Sequence, residues 1–529
     1  MFKTIYTKGE NMNILVILLA SQGSSEYNEA NLVFQDLFTQ VNPEIIYAIR
    51  TDSQKTLPDS LANNEAIYPI LMPSIINEDF NSGSQDPDNY WADYLQQIIE
   101  ELPINSQNLD VNIHVNGGDF WITSAMISLG KIYDSKLWLT VKKDDQWIAK
   151  EVTPIQSNSD DEKAIVSHLC TLSIKNPSKS FTANDLQESN LVPSSKGIEN
   201  SLRNPISLGL VIKEKVDIGK SNQSIVSYKI TPLGILHGIS WNIEKIENST
   251  FNSIKDSVLM IQRITNSDED LDNYIIEHGL SKFTAASLLI VDFDSTYNAE
   301  VKKSEFQEVL NKNWPNDSIS NDILTNIEFG NSEEGMSEFM KIIHKIITSK
   351  DYDWTILSTG IPAALRPWMI EYSLQKRLTI KHILRRIKPI SNSSRGSIIY
   401  DSGLPKSQHL LSIPSLDSLE IIKHGINKDI KWFKESLVTL LLAEKEEVRI
   451  GRTGGGIIEY NNKILTSDHN FYIGQKKEIP ATHRNIHKSL AKAKLIQVYS
   501  DENIAAGFYQ LTPEGKVTAS IILNQGTDE

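Results

Sequence analysis

Apolar and polar positions fall along this chain in blocks that predict strand, turn and helix in regular succession. Asn13 to Leu19 is an apolar run of strand length, followed by the polar turn Ser21-Gln22-Gly23-Ser24-Ser25 and a helix through Phe38. Glu44 to Ile49 and Ala66 to Leu71 read as further strands and Tyr90 to Leu102 as a helix. The stretch Leu109 to Gly130 then joins strand, glycine turn and helix without a gap. Asp110 to Val115 alternates, Asn116-Gly117-Gly118-Asp119 breaks the pattern, and Phe120, Ser124 and Ile127 recur at helical spacing. Lys136 to Val141 and Trp147 to Val152 close the segment as an antiparallel hairpin. Strand and helix in alternation predict a parallel sheet covered on both faces.

Around Asp160 the pattern changes. Ser157 to Asp161 caps a helix Glu162 to Ser173, Thr182 to Glu188 and Lys196 to Leu208 read as two more helices, and two strands flank the polar tip Gly219 to Gln223. Three helices and a β-ribbon in this order predict a winged helix-turn-helix.

From Ser257 the first pattern returns: strand Ser257 to Ile261, polar turn Arg263-Ile264-Thr265-Asn266-Ser267, helix Asp270 to His278, strand Leu288 to Phe293, helix Ser304 to Asn313, strand Leu324 to Phe329 and helix Gly335 to Thr348. Trp354 to Leu357 then runs through Ser358-Thr359-Gly360-Ile361-Pro362 into the helix Ala363 to Gln375, the strand–glycine–helix unit again. Val258 follows Ile14 by 244 positions and Gly360 follows Gly118 by 242. The second block returns too. Tyr228-Lys229-Ile230-Thr231-Pro232-Leu233-Gly234 reappears 281 positions later as Tyr509 to Gly515, and Ile198 to Leu202 reappears 288 positions later as Ile486 to Leu490. The larger offsets place roughly forty inserted residues before the second match, with Arg452 to Gly456 and Lys463 to Gln475 as extra loops. The expectation is an internal duplication of α/β class. It comprises a Rossmann-like domain over 12–155, a winged helix over 160–245, a second Rossmann-like domain over 255–415 and a second winged helix, with insertion, over 430–525.

Composition narrows the setting. The length of 529 residues exceeds one core, and a single cysteine, Cys170, excludes a disulfide framework or a multi-thiolate metal site. A reducing, cytoplasmic location is expected. No apolar run reaches membrane-spanning length, so no membrane partner is expected. The net charge of −15 confines any nucleic-acid contact to a local patch.

In a doubly wound sheet the strand order reverses beside the first strand, leaving a crevice between the loops after strands one and four. Those loops hold Ser21, Gln22, Gly23 and Ser24 with Asn116, Gly117, Gly118 and Asp119 in the first block, and Arg263, Thr265 and Asn266 with Ser358, Thr359 and Gly360 in the second. Small hydroxyl, amide and glycine residues ahead of a helix suit an anion, because backbone N–H groups and the helix dipole point at one spot. They also suit plain exposed turns.

Val115-Asn116-Gly117-Gly118-Asp119 before a helix resembles the mark of CARF domains, the Rossmann-like sensors of CRISPR-associated proteins. The order of sensor and winged helix resembles the CRISPR-associated transcriptional regulators of archaea. The resemblance implies a cyclic oligoadenylate as regulatory ligand, with no other cofactor, held between two CARF copies that are normally supplied by a homodimer. Here one chain would supply both copies as a pseudo-dimer, and a homodimer of that chain is a further expected state. Asp119 would cap its helix or meet a ribose hydroxyl.

Output to double-stranded DNA is expected from the winged helices. Ala481 to Tyr499 holds no acidic residue, and Arg484, Lys488 and Lys492 fall at four-residue spacing beside His487, opposite Ile486 and Leu490. In the first copy Lys196, Arg203, Lys213 and Lys220 are the candidates. The bland alternative is a solvated helix in a winged domain used for packing. Enzyme motifs are weaker. Arg377-Leu-Thr-Ile-Lys-His382 has the Arg-x4-His spacing of HEPN ribonucleases but falls at a predicted helix end and strand, where chance explains it. Gly451-Arg-Thr-Gly-Gly-Gly456 lacks the lysine of a phosphate loop and reads as a loop. The expected function is a cyclic-oligoadenylate-sensing transcriptional regulator. The alternatives are a DNA-binding or scaffold protein with silent sensors, and a ring nuclease using the ligand's own 2′-OH.

Overall fold

In the computed structural model the structure describes residues 12–19, 25–51, 61, 66–72, 89–102, 109–115, 120–143, 146–151, 159–177, 179–187, 197–217, 224–241, 255–263, 271–277, 279–291, 299–315, 322–324, 333–349, 352–358, 361, 365–383, 389–392, 398–400, 410–445, 450–453, 456–459, 488–499 and 508–525. They form an α/β protein built on two six-stranded sheets of mostly parallel strands.

The first sheet has β1 (Met12–Leu18), β2 (Ile45–Thr51), β3 (Ile67–Met72), β4 (Leu109–His114), β5 (Lys136–Lys143) and β6 (Gln146–Glu151) in the order β3-β2-β1-β4-β5-β6. Only the β5–β6 pair is antiparallel, the hairpin expected there. From Ile14 to Leu18 β1 is apolar because both its faces are covered. Leu15 and Ile17 pack with Val33, Phe34 and Leu37 of α1 (Ser25–Val41), whereas Ile14, Val16 and Leu18 face α2 (Tyr90–Glu101) and α3 (Phe120–Ile132).

The second sheet has β10 (Lys255–Arg263), β11 (Ala285–Val291), β12 (Asp322–Leu324), β13 (Tyr352–Leu357), β14 (Thr379–Ile383) and β17 (Leu410–Ser412) in the order β12-β11-β10-β13-β14-β17. Again only the last pair is antiparallel. Val258 and Met260 face a core with Leu271, Ile275 and Leu310, while Leu259 and Ile261 face the same central core as Val16 and Leu18. A hairpin of β15 (Pro389–Asn392) and β16 (Ile398–Tyr400) stands between β14 and β17.

After each sheet comes a unit of helices and antiparallel strands. The first has α4 (Asp160–Lys175), started by a reciprocal Ser159–Glu162 capping box, then β7 (Phe181–Thr182) and α5 (Ala183–Gln187). α6 (Ile198–Ser201), α7 (Arg203–Ser207), β8 (Val211–Asp217), β9 (Ser224–Ile230) and α8 (Pro232–Trp241) follow, with sheet order β7-β9-β8. The single helix expected over Lys196 to Leu208 is two short ones, broken at Leu202. Pro205 has no N–H to bond the Ser201 carbonyl, so the first helix stops there. In chain order α9 (Leu271–Glu277), α10 (Ala299–Asn313), α11 (Glu333–Thr348) and α12 (Arg366–Lys376) belong to the second sheet. The second unit has α13 (Leu416–Ile426), α14 (Lys431–Lys445), β18 (Ile450–Thr453), β19 (Gly456–Glu459), α15 (488–492), β20 (Ile496–Tyr499), β21 (Phe508–Leu511) and α16 (Pro513–Asn524), with sheet order β19-β18-β21-β20. Of Gly451 to Gly456, expected to be a loop, Gly451, Arg452, Thr453 and Gly456 lie instead on the antiparallel pair β18–β19, in which Arg452 pairs with Ile457 and Thr453 with Gly456, while 454 and 455 lie outside the described residues. The strand expected at Leu324 to Phe329 is seen at Asp322–Leu324, and the inserted stretch Lys463 to Gln475 lies outside the described residues.

One local device occurs in both units. Thr231 Oγ1 donates to Gly209 O at 2.7 Å and accepts from Gly234 N at 3.0 Å. Thr512 Oγ1 donates to Lys494 O at 2.7 Å and accepts from Gly515 N at 3.1 Å. Leu210 N bonds Pro205 O as Leu495 N bonds Leu490 O, an offset of 285 positions. Over these residues the offset is 285, whereas Ile486, on which the expected offset of 288 from Ile198 rests, lies outside the described residues.

The units seat crosswise. α8, from the first half, packs on α11 and α12 of the second sheet, and α16, from the second half, packs on α2 of the first. Lys150 pairs with Glu333, Lys445 with Glu100 at 2.7 Å, and Lys423 with Asp134 at 2.5 Å, all between the halves. One buried core runs from Val16 through Leu236 and Ile521 to Ile261.

Candidate functional site

The strand order places the candidate loops. β1 lies between β2 and β4 with Ile17 opposite His114, so the chain leaves the carboxyl ends of β1 and β4 side by side. β10 lies likewise between β11 and β13, with Met260 opposite Leu357. Both are switch points of a doubly wound sheet. The turns themselves are largely beyond description. Ser21, Gln22, Gly23, Ser24, Asn116, Gly117, Gly118, Asp119, Thr265, Asn266, Thr359 and Gly360 lie outside the described residues. Arg263, expected in the turn, is the last residue of β10.

The described residues around the turns are chiefly structural. His114, at the end of β4, is wholly buried, with Nε2 3.0 Å from Thr140 Oγ1 and its ring edge-on to Phe34. Burial pushes its pKa down to about 3, so it is a neutral packing group and not a base working near neutrality. Ser358 is 1% exposed, donates its backbone N–H to Lys381 O and accepts from Ile361 N, which makes it the buried start of the second turn. Arg366 Nε donates to Ile361 O at 3.4 Å, which brings a guanidinium to that turn. Sequence reading passed over Arg366, although an arginine one residue before Pro367 at a helix start is a recognisable signal. The helices that follow the two turns, α3 and α12, touch each other, and Lys131 Nζ meets Glu371 Oε1 at 2.5 Å with side chains 17% and 11% exposed.

In the second unit Leu490 is buried while Lys488 and Lys492 are exposed on the five-residue helix α15. Arg203 is exposed, but Lys213 is held by Glu199 at 2.5 Å. Lys196, Lys220, Arg484 and His487 lie outside the described residues.

No other chemistry converges among the described residues. No group of three His, Cys, Asp or Glu side chains stands at metal-binding distance there. Burial pushes the Cys170 thiol up to about 12, leaving it unreactive near neutrality. Arg377 caps α12 with a left-handed backbone, φ 54°, and His382 lies in β14, so their spacing spans a helix end and a strand. No helix among the described residues is long and apolar enough to cross a membrane.

The buried histidines predict acid lability. Burial lowers His114 and His237 to about 3 and His344 to about 4, against an ordinary value of 6.5. Below 6.5 the unfolded chain takes up protons that the folded chain refuses until those low values are reached. Stability is therefore complete above 6.5 and is lost downward through the interval, by up to about 1.4 kcal/mol per pH unit per imidazole. Denaturant midpoints measured from about pH 7 to about pH 5 should fall. A flat profile would contradict the buried neutral state.

No protein-family model and no curated protein matches the chain. Among solved structures, protein VC1899 from Vibrio cholerae is 10% identical over 50% of this chain and 64% of its own, with a TM-score of 0.18. The chain thus spans less than two thirds of that protein's length. LpCGTa in complex with UDP is 9% identical over 79% of this chain and 96% of its own, also at a TM-score of 0.18. At these scores neither overlap bears on chemistry.

Proposed function

We propose that the chain is a single-chain regulator that senses a cyclic oligoadenylate between two CARF-like halves and answers through two winged helix-turn-helix units on double-stranded DNA. The observation that carries this reading is the pair of six-stranded sheets with one strand order, each followed by a unit that repeats the Thr–Gly device. An internal duplication accounts for it. In this reading the turns at the two switch points share one ligand; the helices that follow them touch, at Lys131 near the end of α3 and Glu371 midway along α12. Asn116 to Asp119 and Ser358 to Gly360, with Arg366 added, would supply the donors, and Arg203, Arg484, Lys488 and Lys492 the DNA contacts. Each winged unit seats on the opposite sensor, so a ligand that favours one sensor arrangement would re-space both units.

Calorimetry with cyclic tri-, tetra- and hexa-adenylate tests the sensor, with one ring bound per chain expected and absence of binding to all three rejecting it. The output is tested by DNA affinity against salt. Lys488→Ala and Lys492→Ala should each weaken binding at every salt concentration and reduce the log–log slope by about one. Unchanged affinity and slope would reject α15 as a phosphate-contacting helix.

A further inference from the structure

The two crosswise seats are made by corresponding helices that have diverged. The Thr–Gly device aligns α16 with α8, so Gly515 stands where α8 has Gly234, Lys516 where it has Ile235 and Thr518 where it has His237. These replacements give the seats opposite responses to a proton.

In the second seat one ammonium serves two carboxylates. Lys516 Nζ of α16 lies 3.8 Å from Asp93 of α2 and 3.7 Å from Glu444 of α14, and Glu444 also accepts from Leu511 N of β21 at 2.9 Å. The other charges around this seat are matched in pairs: Lys445 of α14 with Glu100 of α2, Lys423 of α13 with Asp134, and Arg377 with Asp417 of α13. Glu514 of α16 accepts from Ser418 Oγ of α13 at 2.7 Å. Between Asp93 and Glu444 one negative charge is therefore left over. Burial holds both carboxyls above their ordinary values of 3.8 and 4.5, and repulsion from Asp93 adds to the rise at Glu444. A proton on either carboxyl leaves a one-to-one ion pair and ends the repulsion.

The first seat has the opposite character. From Leu233 to Trp241, α8 is buried at every position and carries no carboxylate, lysine or arginine. His237 lies against Trp241 at 5.1 Å and edge-on to Trp368 of α12 at 5.5 Å. The charges acting on it are the ammonium groups of Lys131 on α3 and Lys150 on β6, which pair with Glu371 of α12 and Glu333 of α11. On α4, Cys170 lies beside Gly238 with its thiol pushed up to about 12, and His344 of α11, bonded to Tyr372, is pushed down to about 4, so both are neutral. A proton on His237 would place a cation among aromatic rings with two ammonium groups nearby. Burial first, then those lysines, lowers it to about 3.

We propose that acidification shifts stability from one crosswise seat to the other, loosening α8 on the second sheet while tightening α16 on the first. His237 withdraws stability from its seat as pH falls below the ordinary 6.5. The carboxyls return stability to theirs as pH falls through their raised values, and the gain is complete at the ordinary 3.8 and 4.5. Protons thus select which winged unit stays on its sheet. The inference concerns the seats alone and stands whether or not a cyclic ring binds.

Amide hydrogen exchange of the full chain, corrected for the intrinsic rate, tests it by comparing α16 with α8 at about pH 7 and about pH 5. Protection of α8 should fall on acidification and that of α16 should rise. Asp93→Asn and Glu444→Gln each leave Lys516 one carboxylate. At about pH 7 each should raise protection of α16 by about threefold, the scale of a partly exposed charge interaction, and should shrink its gain in acid. Protection moving in the same direction in both helices would overturn the proposal, as would an α16 that neither variant alters. Failure of the cyclic rings to bind would count against the sensor alone.

Discussion

Gly515→Ala and Gly234→Ala are each expected to destabilise the protein by roughly 3 kcal/mol or more, among the largest effects available to one methyl group. A Cβ at Gly515 would stand 1.9 Å from Leu495 O, and one at Gly234 would stand 2.0 Å from Leu210 O. These are backbone atoms, so no side-chain rotation relieves the clash. Both carbonyls are already engaged, Leu495 O with Thr512 N at 3.1 Å and Leu210 O with Thr231 N at 3.0 Å. Making room would pull the start of α16 or α8 away from its strand and from the threonine that caps it. Each helix also seats on the opposite sheet, so a local shift would open the contact between the halves. Thermal scans and limited proteolysis should show the loss, with cleavage of Gly515→Ala concentrated around α16 and α2. A variant melting with the parent would mean that the approach of helix to carbonyl is not as close as described. Thr512→Ala should cost about 1 kcal/mol, because it removes the cap and leaves the approach intact.

The two sheets were legible because strands covered on both faces read as nearly continuous apolar runs. Ile14 to Leu19 is wholly buried and could be read as such a run, whereas the strand expected at Leu288 to Phe293 lies at Ala285–Val291, its start hidden by two small alanines and the buried, polar Ser287. The switch points followed from strand order. The crosswise seating was not legible. α8 is buried at every position from Leu233 to Trp241, which announces that it is surrounded without saying by what. The partners, α11 and α12, lie about a hundred positions further along the chain or more. The hairpin at Gly451 to Gly456 was missed because three adjacent glycines outweighed the β-branched residues on either side. The break in the helix from Lys196 was missed because Pro205 was absorbed into a helical stretch it interrupts. At the candidate site, Ser358 and Arg366 are placed by backbone hydrogen bonds that no residue pattern specifies, and the glycine turns were visible only as composition.

Glu371→Ala should lower stability by about 3 kcal/mol and loosen the two halves, since removing one partner of a mostly buried ion pair strands the other. Glu371 Oε1 accepts from Lys131 Nζ at 2.5 Å and from Gln375 Nε2 at 3.1 Å, while Oε2 is buried without a partner among the described residues. Lys131 lies on α3 and Glu371 on α12, so the pair crosses between the halves. Nearby, Trp368 of α12 meets the His237 ring of α8 edge-on at 5.5 Å, and His237 lies against Trp241 at 5.1 Å. Both sheets and the first unit therefore share one buried node, and an uncompensated Lys131 ammonium beside it has little access to water. The paired replacement Lys131→Met with Glu371→Leu removes both charges and should recover most of the loss, because the desolvation of two ions disappears with their attraction. A double-mutant cycle in denaturant separates the cases. A coupling of about 2 kcal/mol or more is expected if the pair holds the halves together, whereas independent single effects that simply add would show that α3 and α12 are joined by their apolar faces alone.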